Sequence, residues 1–132
     1  MSGAALARAA EVLVGTRFRL HGRDPATGLD CIGLLAAALT AIGRPAPLPT
    51  GYVLRTHALP RLGALAADCG LAEARDALRP GDVLMLRVGP CQYHLVIAAC
   101  GGGFVHAHAG LRRVVVMPGP LAWPIMSRWR LR

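Results

Sequence analysis

The second half of the chain constrains the fold most, because it breaks into short apolar runs separated by turn residues. Four of these runs are β-branched or alternating and are punctuated by glycine or proline: "DVLMLRV", "YHLVIAAC", "GFVHAHAG" and "RRVVVMP". The "GGG" at 101–103 predicts a hairpin turn between two of them. A further strand is predicted in "PIMSRWRL", where we expect the chain to close the sheet edge and leave a basic tail.

The first half has a helical pattern instead. Helices are predicted at about residues 2–14, from Asp30 and Cys31 to near Gly43, and more weakly at 56–69. A polar loop at 15–28 is rich in turn-forming residues and joins the first two helices. Helices followed by an antiparallel sheet predict an α+β fold, with N-terminal helices packed on a C-terminal sheet. At 132 residues the chain has the length of a single domain, residues 1–132.

The charge balance favours an anionic partner. The chain has 15 basic residues, all arginine, against 7 acidic ones, which gives a net charge of +8. Nucleic acid, a membrane surface and an acidic cell-wall polymer would all suit that charge, and an all-arginine set also fits a GC-rich coding sequence. With only two each of Trp, Tyr and Phe, the chain lacks stacking platforms, so we expect no specific nucleic-acid binding.

Apolar segments and cysteine spacing indicate in which cellular compartment a protein is made and acts. No apolar run reaches the ~18 residues of a membrane span. Arg8 and Glu11 interrupt the apolar N-terminal stretch, so neither a signal peptide nor a membrane segment is predicted. We expect synthesis in the cytoplasm and a route to the target that needs no signal peptide. The four cysteines lack the spacing of a disulfide scaffold and are expected to be free thiols.

Cys31 stands at the predicted start of an apolar helix, directly after a helix-capping aspartate, Asp30. The helix dipole and the free N–H groups of the first turn favour an anion there, so we expect the thiol pKa to be lowered. The same N–H groups could receive an oxyanion. The simpler alternative is a buried structural cysteine, because cysteine is among the residues most often found in cores.

Three histidines could supply the base that a nucleophilic cysteine needs. His94 opens an apolar strand, and His106 follows twelve residues later, past the glycine turn. Two antiparallel strands joined by that turn would bring these two side chains within reach of each other. His106 and His108 are two residues apart and so share one face of their strand. The simpler reading of each is an ordinary core or surface histidine.

The stretches "GLDCIGLL", "PGDVLML" and "HLVIAACGGGFVHA" resemble the NlpC-type family of papain-like cell-wall cysteine peptidases. That family has a D-C-S-G-L helix start, a G-D strand start, a histidine opening an apolar strand, and a polar residue twelve positions later. The resemblance runs from about Gly15 to Ala109. It implies a papain-like α+β fold without a cofactor, with Cys31 as nucleophile, His94 as general base and acid, and His106 orienting His94.

The resemblance also implies a substrate and a setting. The substrate would be a peptidoglycan stem peptide, cleaved beside D-glutamate and a diamino acid, and its carboxylates suit the surplus of arginines. Candidate contacts are Arg17, Arg19, Arg23, Arg55 and Arg87, for which a solvated surface position is the simpler reading. The loop and the compact form look most like members encoded with phage tails and gene-transfer particles. Phage-tail-like particle components are therefore possible partners, with action on the cell wall.

Two positions depart from the family pattern. Ile32 replaces the usual serine after the cysteine, and Phe18 stands where the family often has a tyrosine whose hydroxyl faces the site. Phe18 and His108 are therefore expected on the substrate side of the site. A lost hydrogen bond of ~1 kcal/mol would change preference or lower activity without preventing turnover.

Two other functions fit parts of the sequence. One is a non-catalytic binding or assembly module of a tail-like particle that keeps the same fold. The other is a zinc site, since the second half contains a C-x2-H start among possible ligands, namely Cys91, His94, Cys100, His106 and His108. The spacing beyond that start matches no common zinc pattern, and we expect no metal.

Overall fold

A computed structural model describes residues 3–48 and 63–132 of the chain. Three helices are present in these ranges: α1 (Gly3–Val12), α2 (Cys31–Ala41) and α3 (Gly63–Asp68). The weak helix predicted at 56–69 is thus observed only as α3, and the first part of that range lies outside the described residues, as does Arg55. None of the described helices is long and apolar enough to cross a membrane.

In the same ranges, eight strands follow the helices or lie between them. They are β1 (Arg23–Asp24), β2 (Gly28–Leu29), β3 (Leu71–Glu73), β4 (Val83–Gly89), β5 (Gln92–Ala98), β6 (Phe104–His108), β7 (Arg113–Met117) and β8 (Ile125–Leu131). The first two form a small hairpin inside the polar loop, and the other six form one antiparallel sheet in the order β3-β8-β4-β5-β6-β7. The α+β, papain-like architecture with helices before an antiparallel sheet is therefore confirmed.

The C-terminal strand does not close the sheet edge, and this expectation was wrong. β8 pairs with β4 on one side and with the short strand β3 on the other, so β3 is the edge. Three residues that follow α3 carry too little pattern to be recognised as a strand from sequence. The pairing buries Trp129 and Leu131, both of which contribute to the main core.

The arginines of β8 do not form a basic tail either. Asp82, whose side chain is completely buried, accepts hydrogen bonds from Arg128 at 2.7 Å and from Arg130 at 2.8 Å. It also accepts the backbone N–H of Arg79 at 3.0 Å. A buried carboxylate needs such partners, so this network ties the turn before β4 to the end of the chain.

The sheet buries apolar side chains on both faces. On β5, Leu95 and Ile97 belong to the large core under α1 and α2, whereas Val96 and Ala98 belong to a smaller cluster on the opposite face. This is the alternation that a pleated strand imposes. His94 shares the strand face of Val96 and Ala98, and it lies toward the end of the sheet where β5 begins and β6 ends.

Strands β5 and β6 pair only near their hairpin. Ile97 faces Val105 and Ala98 faces Phe104, across the turn at 100–103 that the glycine run predicted. Toward the other end of the sheet the two strands have no further ladder pairs, whereas β6 and β7 remain paired as far as His108 and Arg113. The polar residues of the site lie at this open end.

Candidate functional site

Helix α2 starts at Cys31, as predicted, and the cap is made by Asp30. The Asp30 side chain accepts the Gly33 N–H group at 2.8 Å through one oxygen and the His21 N–H group at 2.9 Å through the other. One carboxylate therefore holds both the first turn of the helix and the loop that precedes it. Cys31 is in consequence fixed at the helix start, with its side chain 8% exposed.

The loop packs closely against this helix at two glycines. A Cβ atom at Gly33 would collide with the carbonyl oxygen of Gly22, and one at Gly22 would collide with the carbonyl oxygen of Gly28. His21, directly before Gly22, has a φ of 61°, in the left-handed region that few non-glycine residues adopt. The hydrogen bond to Asp30 compensates for this conformation. The loop thereby presents Phe18 and His21 next to Cys31.

The two predicted partner histidines are in contact. The Nε2 atom of His94 lies 3.0 Å from the Nδ1 atom of His106, which is hydrogen-bond distance. Their rings meet nearly at right angles, with centroids 5.2 Å apart. His108 follows on the same strand face, with its ring 5.3 Å from that of His106, and its Nδ1 atom accepts the Leu111 N–H group at 3.0 Å.

These side chains line one open cavity of about 600 Å³, which we call the cleft. Cys31, His94, His106, His108 and Phe18 all contribute to its wall, as does Asp30. Further walls come from residues that the sequence did not single out: Leu20, His21, Val88, Gln92, Tyr93 and Trp123. Most of these lie in loops or at strand ends, whose approach to the cleft depends on the tertiary fold and leaves no periodic signal.

Burial sets the protonation states in the cleft, and it overturns the expectation for the thiol. Desolvation raises the pKa of Cys31 to about 12, with a smaller contribution in the same direction from the negative charge of Asp30. Backbone hydrogen bonds from Leu95, Ile32 and Cys31 itself oppose that rise without cancelling it. The helix start does favour an anion, as expected, but removal of the sulfur from water outweighs it.

His94 is shifted in the opposite sense. Its pKa is lowered to about 4, first by burial, because the charged imidazolium loses its hydration, and then by the neighbouring His106 and His108. The pKa of His106 is lowered as well, again first by burial and then by His108. At neutral pH the cleft of the free protein therefore holds a neutral Cys31 thiol together with neutral imidazoles at His94 and His106.

The other sequence candidates have ordinary environments. All four cysteines are free thiols, as predicted; Cys69 is buried in the core and Cys100 is exposed. In residues 3–48 and 63–132, no group of three Cys, His, Asp or Glu side chains is arranged to hold a metal ion. Of the proposed zinc ligands, the three histidines are adjacent, but in the part of the chain that the structure describes they form no metal-binding group with Cys91 or Cys100.

The candidate arginines divide into three groups. Arg17, Arg19 and Arg87 are exposed, whereas Arg23 is partly buried and donates to the Leu48 carbonyl at 2.9 Å. Arg55 lies outside the described residues.

Comparison with solved structures gives the same fold. NlpC1 and NlpC2 from Trichomonas vaginalis each superpose with a TM-score of 0.68 at 20% sequence identity over 96% of this chain. The NlpC/p60 domain of the peptidoglycan hydrolase SagA superposes with a TM-score of 0.62 at 25% identity over 100% of this chain and 99% of that domain. This chain spans only 44% and 47% of the two Trichomonas chains.

Sequence comparison alone does not find this relationship. No protein-family profile matches the chain, and no curated protein sequence is significantly similar to it. The three-dimensional likeness agrees with the motifs around Cys31, His94 and His106. The chain therefore has the fold of these NlpC/p60 domains, and its motifs resemble those of the NlpC-type family.

Proposed function

We propose that the protein is a thiol peptidase that hydrolyses amide bonds in peptidoglycan stem peptides. The observation that carries this proposal is the convergence of a helix-start cysteine and a hydrogen-bonded histidine pair on one open cleft. A cysteine nucleophile requires a base nearby and a third group that orients the base. Cys31, His94 and His106 would fill these three roles in that order.

The hydrogen bond between the two histidines supports a specific direction of proton transfer. If His94 donates its Nε2–H to Nδ1 of His106, the Nδ1 atom of His94 is left unprotonated and can accept a proton. A backbone hydrogen bond from Leu95, the residue after His94, reaches the thiol sulfur. The sulfur would therefore lie beside β5, which is the strand that carries the proposed base.

The pKa values favour a concerted first step over a pre-formed ion pair. With the thiol pKa at about 12 and the His94 pKa at about 4, the thiolate–imidazolium form is disfavoured in the free protein. The proton would pass from sulfur to His94 as the sulfur bonds to the amide carbon. The substrate itself would expel water and supply the electrophile, so charge develops only during the reaction.

The remaining steps use groups already near the sulfur. The oxyanion would be received by the N–H groups at the start of α2, which hydrogen-bond to the thiol in the free protein. His94 would return its proton to the nitrogen of the leaving amine as the carbon–nitrogen bond breaks, which leaves a thioester on Cys31. Water, deprotonated by His94, would then release the acid and restore the thiol.

The assignment of the substrate rests on the structural likeness and on the form of the cleft. One of the superposed domains is that of a peptidoglycan hydrolase, and the match spans essentially the whole of both chains. The cleft is an open groove of about 600 Å³ with both apolar and polar walls, which is large enough for a short peptide. The net charge of +8 favours an acidic peptide over a basic one.

Muropeptide digestion tests the proposal. Purified protein incubated with muropeptides should release shorter stem peptides with new amino and carboxyl termini, detected by mass spectrometry. Cys31→Ala should abolish release while leaving the circular dichroism spectrum and melting temperature close to those of the unaltered protein. Intact muropeptides after incubation with the unaltered protein, or continued cleavage by Cys31→Ala, would refute the proposed function.

A further inference from the structure

Two exposed arginines stand directly opposite each other beside the cleft. Arg17, in the loop before α2, forms an isolated antiparallel bridge with Arg113, the first residue of β7. The backbone bonds of this bridge run from Phe18 N–H to the Arg112 carbonyl and from Val114 N–H to the Thr16 carbonyl. They flank the two arginines without joining them, which makes this a non-hydrogen-bonded pair, the kind with the closest side chains.

The arginine pair lies next to His108, across the neighbouring strand. Arg113 is the register partner of His108, so their side chains share one face of the sheet. His108 lines the cleft, and its ring contacts that of His106, which bonds to His94. With strands spaced ~4.8 Å apart, Arg17 lies about 10 Å from His108 across the strands. The pair thus borders the cleft at a distance that a peptide side chain or terminus can span.

Among the described residues, no acidic side chain forms an ion pair with either arginine. In the described part of the chain, the ion pairs involve Arg75, Arg79, Arg128 and Arg130, and none involves Arg17 or Arg113. Like charges placed directly opposite on neighbouring strands destabilise a sheet. Arg112, exposed and with a φ of 60°, adds a third positive charge at the same turn. Positive charge is therefore concentrated here in a way that folding alone does not favour.

We propose that Arg17 and Arg113 form a carboxylate-binding subsite that holds an acidic group of the substrate peptide next to the reacting amide. Two guanidinium groups at closest cross-strand distance can each offer paired N–H donors to a carboxylate. A bound carboxylate would also remove the repulsion between them. This inference rests on the proposed function for the identity of the ligand, and it adds the group that the cleft selects.

Equilibrium binding separates this subsite from catalysis. In the Cys31→Ala background, calorimetry would compare a synthetic stem peptide with free carboxylates against the same peptide with carboxamides. The carboxylate form should bind about tenfold more tightly, and Arg17→Gln with Arg113→Gln should remove that preference while leaving the affinity for the amide form unchanged. The substituted protein should also melt at an equal or higher temperature, because the repulsion is gone.

A matched control keeps the net charge constant. Arg8→Gln with Arg132→Gln removes the same two charges from exposed positions outside the cleft lining and should retain the preference. If the double variant at 17 and 113 unfolds, Arg17→Gln alone carries the test and should reduce the preference. An unchanged preference in these variants, an equal loss in the control, or no binding of either peptide would overturn the subsite.

The two proposals fail in different ways. Cleavage of muropeptides without any preference for carboxylates would overturn the subsite and leave the peptidase intact. A carboxylate preference that depends on Arg17 and Arg113, in a protein that cleaves nothing, would retain the subsite and refute the peptidase.

Discussion

At the scale of single residues, burial governs the chemistry of the cleft. His94 can accept a proton only when it is neutral, and its lowered pKa keeps it neutral over most of the pH range. Cys31 is held as a thiol by the same physical cause acting on an acid instead of a base. In the proposed mechanism the pair would consequently transfer the proton from its uncharged form.

The pH profile of kcat/KM should reflect this state. His94 is protonated below its pKa of about 4, so activity should persist to about pH 5 and fall as the pH decreases through 4. An imidazole with an ordinary pKa would instead cause kcat/KM to fall near pH 6.5. Initial rates measured from pH 3.5 to 9, with circular dichroism at each pH, check this. A fall centred near 6.5 in folded protein would contradict the neutral-pair mechanism.

His106 should act as a positioning residue. Its removal in His106→Ala should lower kcat about 100-fold, because His94 loses the partner that orients its ring, while His106→Asn should recover part of the loss. The acidic limb of the pH profile should move to higher pH in both variants, since His106 lowers the pKa of His94. If His106 had only a structural role, kcat would fall equally in both variants and the acidic limb of the pH profile would not move.

The types of residue at the site could be predicted from sequence, whereas their charge states could not. The spacing of Cys31, His94 and His106 with respect to a helix start and a hairpin indicated the contact that the structure shows between the two histidines. The expected lowering of the thiol pKa was wrong, because a sequence gives the local dipole but not the depth of burial. His21 and Trp123 were missed for a similar reason: only the folded chain brings their segments to the cleft.

At the scale of elements, the start of α2 and the preceding loop act as one unit. Asp30 bonds to both, and the absence of a side chain at Gly33 lets the Gly22 carbonyl approach the helix. The cap and the apolar composition of α2 were readable from sequence, as was the glycine at its end, Gly43, which has a φ of 75°. The two-residue strands inside the loop were not, since they are too short to show alternation.

Gly33→Ala tests this unit. The added methyl group would meet the Gly22 carbonyl, so the loop must move, at a cost of about 1–3 kcal/mol in the free energy of unfolding. The rate of muropeptide cleavage should fall even under conditions in which the variant remains folded, because Phe18 and His21 move with the loop. Gly63→Ala, at an open helix position, is the control and should leave both unchanged. Urea denaturation and muropeptide cleavage measure the two effects, and a fully active Gly33→Ala would contradict the packing.

At the scale of the whole molecule, the Asp82 network joins distant parts of the chain. Burial alone would raise the pKa of Asp82, but hydrogen bonds from Arg130, the Arg79 N–H group and Arg128 outweigh it and lower that pKa. The strand start "PGD" was visible in the sequence, whereas the partner arginines, almost fifty residues later, were assigned to a solvated tail. Such long-range pairing leaves no local trace in the sequence.

Asp82→Asn should be strongly destabilising. Two arginines would remain without their buried counter-charge, which costs about 3–5 kcal/mol in the free energy of unfolding. In the unaltered protein the contribution of Asp82 is fully present above its ordinary pKa of 3.8 and is lost as the pH falls through its lower folded value. Urea denaturation between pH 2.5 and 7 measures both effects, with the exposed Asp68→Asn as control. Equal stability of the two variants would contradict this account.

Site-selective labelling tests the central claim, that Cys31 is the nucleophile and is activated only by substrate. A small reagent such as iodoacetamide at neutral pH should label exposed Cys100 faster than Cys31, because the Cys31 pKa is about 12. A stem peptide with a chloromethyl ketone at the scissile position should reverse this order and modify Cys31 alone, more slowly in His94→Ala. Peptide mapping by mass spectrometry locates the label; modification of another cysteine, or a rate at Cys31 that is independent of His94, would contradict the account.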